Sequence, residues 1–175
     1  MTKFIVTIGL PGSGKSSISR PFAEKNDYVY ISSDAVRLEV THDPYDMSRE
    51  MEVWDEIKRR IRENLEAEHT VVLDSTLTSE KVRSQILELA RECGVQKIQG
   101  LYVDIPEEVS RERNAGREVV VPDEHIAKMS KKLEKFPPEL SEGFDSIIHL
   151  DEHGEITEVE MKREDGEVRR EFKVR

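Results

Sequence analysis

A single cysteine, Cys93, excludes an internal disulfide, so any stability must come from packing. No apolar run is long enough to span a bilayer, and no basic-then-apolar leader precedes the first polar residues. The expectation is therefore a cytoplasmic protein with no membrane partner. The five histidines lie far apart, without a second ligand at zinc spacing, and read as surface or core residues. An excess of positive charge is also missing: 27 Lys and Arg face 37 Asp and Glu, a formal net charge of -10. That balance argues against an extended basic surface gripping nucleic acid through phosphates alone, and any polyanion must be held locally. There is neither a fixed-period repeat nor a low-complexity tract.

What is present is enough for one domain of ordinary size, 175 residues with 36% hydrophobic content. Short β-branched runs, "KFIVTIG", "YVYIS", "TVVLD", "KIQGLYVD" and "SIIHL", alternate with amphipathic stretches. The helical patterns start at Lys15, run near residues 49 to 68, and span about Ser79 to Cys93, where Gly94 marks an end. This alternation predicts a three-layer α/β fold, a parallel central sheet with helices on both faces. In the second helix Met51, Trp54, Ile57, Ile61 and Leu65 read as a buried stripe. Residues 1–151 read as the main domain, with a charge-dense helical lid near 111–136. Residues 152–175 read as a C-terminal β-hairpin around Asp165-Gly166, a dipeptide that favours a type I′ turn.

The strongest chemical signal is "GLPGSGKS", a complete G-x-x-x-x-G-K-[ST] between an apolar strand and a helix. Glycines at 9, 12 and 14 let backbone N–H groups converge on phosphate oxygens, and Pro11 stiffens the loop. Gly9, Pro11, Gly12, Ser13, Gly14, Lys15, Ser16 and Ser17 are thus the nucleotide-binding candidates. Lys15 neutralises the β and γ phosphates and Ser16 ligates Mg²⁺.

Two carboxylates follow apolar runs. Asp74 closes "TVVLD", where it either supports Mg²⁺ or caps the next helix, a role open equally to Ser75, Thr76 and Thr78. Asp34 closes "YVYISSD" and should face the crevice beyond the strand ends; Arg37 follows one turn later as D-x-x-R. Asp34 is either a base for an attacking hydroxyl or a helix cap, and Arg37 either clamps an acceptor phosphate or is solvated. In "SRERNAGREVVVP", Arg113 and Arg117 are four apart, placing both guanidiniums on one helical face as lid cations over the transferred phosphoryl group. Further on, Ile126, Met129, Leu133 and Phe136 form one side of a helix. Lys128, Lys131, Lys132 and Lys135 form another, either a solvated face or a landing surface for a polyanion.

Together "GLPGSGKSS", "SSDAVR", "VVLDSTL", "RNAGR", "VVP" and "FPPELSEGFDSIIHLD" resemble the P-loop kinase family of 5′-OH polynucleotide kinases, over the chain to about Asp151. The resemblance implies an ATP- and Mg²⁺-dependent phosphotransferase acting on the 5′-OH end of DNA or RNA. It implies Lys15, Asp34, Arg113 and Arg117 as the catalytic set, with Asp34 the general base, and Arg37, Asp74 and Thr76 as acceptor contacts. Leu77 stands where an asparagine often follows the acid in that family. The alternatives are a related kinase for a small molecule, nucleoside or aminoacyl-tRNA, and, from another class, a nucleotide-binding switch. The guanine-reading [NT]-K-x-D of switch GTPases is absent.

Overall fold

The structure is a computed structural model and describes residues 1–172. Its first strand, β1 (Lys3–Gly9), is buried from Phe4 onward on both faces, which is why it reads as an almost uninterrupted apolar run and sits mid-sheet. The remaining strands are β2 (Val29–Ser32), β3 (Val71–Asp74), β4 (Lys97–Val103), β5 (Ser146–Leu150), β6 (Ile156–Lys162) and β7 (Val168–Phe172). They form one sheet in the order β2-β3-β1-β4-β5-β6-β7. The first five strands in that order are parallel, joined by four pairings, and β6 and β7 are added antiparallel.

Helices α1 (Lys15–Lys25), α2 (Ser33–Thr41), α3 (Glu50–Glu66), α4 (Glu80–Glu92), α5 (Glu107–Ala115) and α6 (Asp123–Lys135) flank this sheet. On one face Phe4, Val6, Ile8 and Leu73 meet Val53, Ile57 and Ile61 of α3 and Ile86 and Ala90 of α4. On the other, Ala23 of α1 meets Ile5 and Val72, while Val109 of α5 packs at Val103 and Ile105. The three-layer α/β architecture expected from the alternating pattern is what forms.

Some local expectations change. In α3 the buried stripe begins at Val53, whereas Met51 is 83% exposed, because helical periodicity with Ile57 and Ile61 selects position 53 and rotates 51 outward. Phe136 is the C-terminal cap of α6 and is exposed, since the helix has ended where its side chain would have rejoined Ile126 and Leu133. The C-terminal hairpin forms and continues the main sheet through β6 on β5, but its turn is not type I′. That type needs positive φ at both central residues; here Gly166 alone has it, at 85°, and its N–H donates to the Arg163 carbonyl at 2.9 Å. The result is a longer loop with a left-handed glycine after the turn.

Candidate active site

The connection runs from β1 to the outer strand β2, returns through β3 beside β1, and then crosses to β4. The carboxyl ends of these strands therefore open a crevice where the strand order reverses. A cleft of about 690 Å³ lies there, lined by residues of the phosphate loop, the starts of α2 and α3, the segment after β3, and residues 113–125.

The phosphate loop is fitted tightly to α5. A Cβ on Gly12, whose φ is 75°, would stand 2.9 Å from the Asn114 nitrogen and 3.0 Å from the Ser110 carbonyl, so no side chain fits. Ser110, fully buried, donates to the Pro11 carbonyl at 2.6 Å. Lys15 is buried and donates to the Leu10 carbonyl at 2.8 Å, closing the loop on itself. Burial lowers its pKa to about 8, although Asp74 pulls in the opposite direction.

Asp74 is not a helix cap. Ser79 caps α4 by accepting from the Val82 N–H at 3.4 Å, and Asp74, 5% exposed, faces the loop instead. Its Oδ2 accepts from the Ser16 hydroxyl at 2.6 Å and from the Tyr30 hydroxyl, and Oδ1 accepts from Thr7 at 3.4 Å. Burial and this bond to Asp74 together raise the Tyr30 pKa. Asp74 and Thr76, both expected among the acceptor contacts, line the cleft; Asp74 sits beside Ser16, and the Thr76 carbonyl accepts from the Gly9 N–H at 3.0 Å. Tyr30 and Thr7 carry no motif and escape a reading of the sequence, because they reach Asp74 only through sheet pairing.

Asp34 does not end a strand. β2 stops at Ser32, which caps α2 by accepting from the Ala35 N–H at 3.3 Å, and Asp34 occupies the first helical turn. Local hydroxyl capping outcompetes strand extension there. Its side chain is 67% exposed at the cleft, with Oδ1 2.9 Å from Arg37 and Oδ2 3.5 Å from Arg117. Arg37 is neither solvated nor free to offer all its donors. Its Nε and NH2 bond the two oxygens of Glu50 at 2.7 and 3.2 Å. Burial opposes the guanidinium charge, but the Glu50 and Asp34 partners outweigh it and the Arg37 pKa is raised. Glu50 belongs to the site and has no sequence signal, being one acid among many on a charged helix.

Arg113 and Arg117 do not share a helical face, because α5 ends at Ala115 with Gly116 as its cap. Arg113 reaches back to the carbonyls of Ser13, at 3.4 Å, and Glu152, at 2.6 Å, whereas Arg117 reaches Asp34. Both still line the cleft. Between them, buried Asn114 fixes the following strap by bonding Val121 twice, at 2.7 and 3.1 Å. The lysines of α6 are exposed and none lines the cleft, because Ile126 and Leu133 turn the opposite face inward.

A phosphate loop at the carboxyl edge of a parallel sheet, with its hydroxyl bonded to an acid on a neighbouring strand, defines a P-loop phosphotransferase, a class that uses a nucleoside triphosphate and Mg²⁺. The chain belongs to the AAA-domain family, whose model matches residues 4–136. It is 30% identical over 135 residues to an L-seryl-tRNA(Sec) kinase of Methanococcus maripaludis, covering 74% of this chain and 52% of that protein. The chain thus spans about half the length of that relative. In fold it is similar to a chain of the Pnkp1/Rnl/Hen1 RNA repair complex, with a TM-score of 0.68, 23% identity, and coverage of 77% of this chain and 44% of that one. It is also similar to a gluconokinase from Sinorhizobium meliloti 1021, with a TM-score of 0.57, 23% identity, and coverage of 85% and 82%. Among the described residues no helix is long and apolar enough to cross a membrane.

Proposed function

We propose that this chain transfers the γ phosphate of ATP to a 5′-hydroxyl end of DNA or RNA. The observation that carries the reading is Asp34: a carboxylate exposed in the same cleft as the phosphate loop and held between Arg37 and Arg117. A hydroxyl seated there would give its proton to Asp34 as its oxygen attacks phosphorus in line. Lys15 neutralises the phosphates. Arg117, and Arg113 on release from the Glu152 carbonyl, stabilise the charge spreading on the transferred group. The hydroxyl of Ser16 and the carboxylate of Asp74, 2.6 Å apart, are hard oxygen donors that suit Mg²⁺; they would hold the ion, which would supply positive charge to offset that of the phosphates. Arg37 would contact the phosphate next to the reacting end.

One observation favours a second reading. Glu50 already takes two donors of Arg37, so part of the positive charge that an acceptor phosphate would meet is offset within the protein. Together with the 30% identity to an L-seryl-tRNA(Sec) kinase, this supports an acceptor hydroxyl on a small or aminoacyl group.

The test is transfer of labelled γ phosphate from ATP, with wild type beside Asp34→Ala, to 5′-OH oligonucleotides, nucleosides, sugars and seryl-tRNA. Label on the oligonucleotide, absent with the variant, is the expected result. Label on seryl-tRNA or a small alcohol alone would move the acceptor to the second reading.

A further inference from the structure

β6 would turn its carboxylates to the wrong face of the sheet if it paired with β5 without interruption. Leu150 stands opposite Ile156, yet His149 stands opposite Glu158, not Thr157. Thr157 is therefore an extra residue on β6, and its hydroxyl donates to the His149 carbonyl at 3.4 Å. Side chains alternate along a strand, so one extra residue moves every later side chain to the other face. Unbroken pairing would place His149 opposite Thr157 and leave Glu158 and Glu160 on the far side. With the bulge, the imidazole and both carboxylates share one face.

They also converge. His149 Nε2 lies 2.9 Å from Glu160 Oε2, and a ligand atom from each of His149, Glu158 and Glu160 lies within 4.8 Å of the others. The His149 and Glu160 side chains are 18% and 11% exposed, so the pair is largely withdrawn from bulk water. Arg170, the cross-strand partner of Glu160 on β7, donates its Nε to Oε1 at 3.1 Å, which orients Oε2 toward the imidazole. The Tyr102 ring meets the imidazole edge to face, with centroids 5.5 Å apart.

We propose that His149, Glu158 and Glu160 form a binding site for a divalent transition-metal ion, zinc by its donor set, with water completing the coordination. One imidazole nitrogen and two carboxylate oxygens suit zinc, whereas Mg²⁺ and Ca²⁺ prefer oxygen alone. Ligand bonds of about 2.0–2.2 Å separate neighbouring donor atoms by about 3.0–3.5 Å. The pair at 2.9 Å thus already stands close to that spacing, and the Glu158 oxygen, within 4.8 Å of both, would move inward to reach it. With Arg170 counted, two carboxylates leave one net negative charge for the ion to neutralise. Arg170, which orients the Glu160 carboxylate from behind, is the kind of outer-shell support that metal sites use. The site is separate from the phosphate loop: none of its three residues lines the cleft. An ion here would tie the C-terminal hairpin to β5, the last parallel strand.

The experiment uses the whole chain, stripped with EDTA and free of nucleotide. Zn²⁺ binding is followed by calorimetry and Co²⁺ binding by its visible absorption, in wild type, His149→Ala, Glu158→Gln and, as control, Cys93→Ser. The expected result is one ion per chain, a Tm that rises with Zn²⁺, and affinity lower by roughly tenfold or more in both site variants but not in the control. Glu158→Gln keeps the shape of a partly exposed side chain, so its loss of binding cannot be ascribed to unfolding. Absence of saturable binding, or binding that both site variants retain, would overturn the proposal and leave a hydrogen-bonded His149–Glu160–Arg170 chain.

Discussion

Glu50 grips Arg37 with both carboxylate oxygens, at 2.7 and 3.2 Å, while Arg37 in turn holds Asp34 at 2.9 Å. Because the Arg37 side chain is only 11% exposed, this pair is desolvated enough to matter where most of the surface ion pairs of this chain do not. A double-mutant cycle with Arg37→Ala and Glu50→Ala should return a coupling energy of about 1–3 kcal/mol in urea unfolding. A value near zero would mean that the two side chains are independent.

Asp34 is the opposite case. With a side chain 67% exposed it contributes little to folding, so Asp34→Asn should leave the unfolding midpoint and ATP affinity unchanged. Turnover should fall by roughly 10²–10⁴-fold if the carboxylate accepts the acceptor's proton. Equal losses in ATP binding and turnover would remove it from that role.

Lys15 couples stability to pH in nucleotide-free protein. Its folded pKa is about 8 against an ordinary 10.5, so between those values the unfolded chain binds more protons than the folded one. Stability relative to Lys15→Met should therefore be flat below pH 8 and rise toward pH 10.5, by a few kcal/mol at most. Urea midpoints at pH 7.5, 8.5 and 9.5 for the two proteins measure it. A difference that stays constant across these values would show that burial does not shift the ammonium.

Arg83 is a buried positioning residue. Its guanidinium, with no exposed area, pairs with Glu142 at 2.8 Å and donates to the carbonyls of Leu77, at 3.0 Å, and Phe136, at 2.8 Å. It thereby pins the segment after β3 to the end of α6. Arg83→Ala should cost about 3–5 kcal/mol in unfolding free energy, because Glu142 loses its buried partner. Removing Glu142 as well should recover part of that loss, and a larger loss in the double variant would contradict this account.

Asn114 gives a test of the strap. Asn114→Ala removes both bonds to Val121, at 2.7 and 3.1 Å. The acceptor KM should rise more than the ATP KM, since the strap lines the cleft while the phosphate loop keeps its Ser110 bond. Proportionate changes in both would place Asn114 in the general fold only.

The sequence by itself determined the nucleotide cradle and the alternating architecture. "GLPGSGKS" and the β-branched runs are local signals, because a phosphate loop needs only its own backbone and the two elements it joins. It also marked Asp34, Arg37 and Asp74 as residues of interest, but not what they touch. The tertiary structure decided that Asp74 meets Ser16, 58 residues away, through the adjacency of β1 and β3. It decided that Glu50 takes Arg37, and that Gly116 ends α5 and sends Arg113 and Arg117 to different partners. It also brought His149 beside two glutamates that no ligand spacing along the chain announces. Those outcomes depend on strand order, register and one bulged residue, and sequence periodicity carries none of them, since it reports which face a residue occupies and not which neighbour that face will meet.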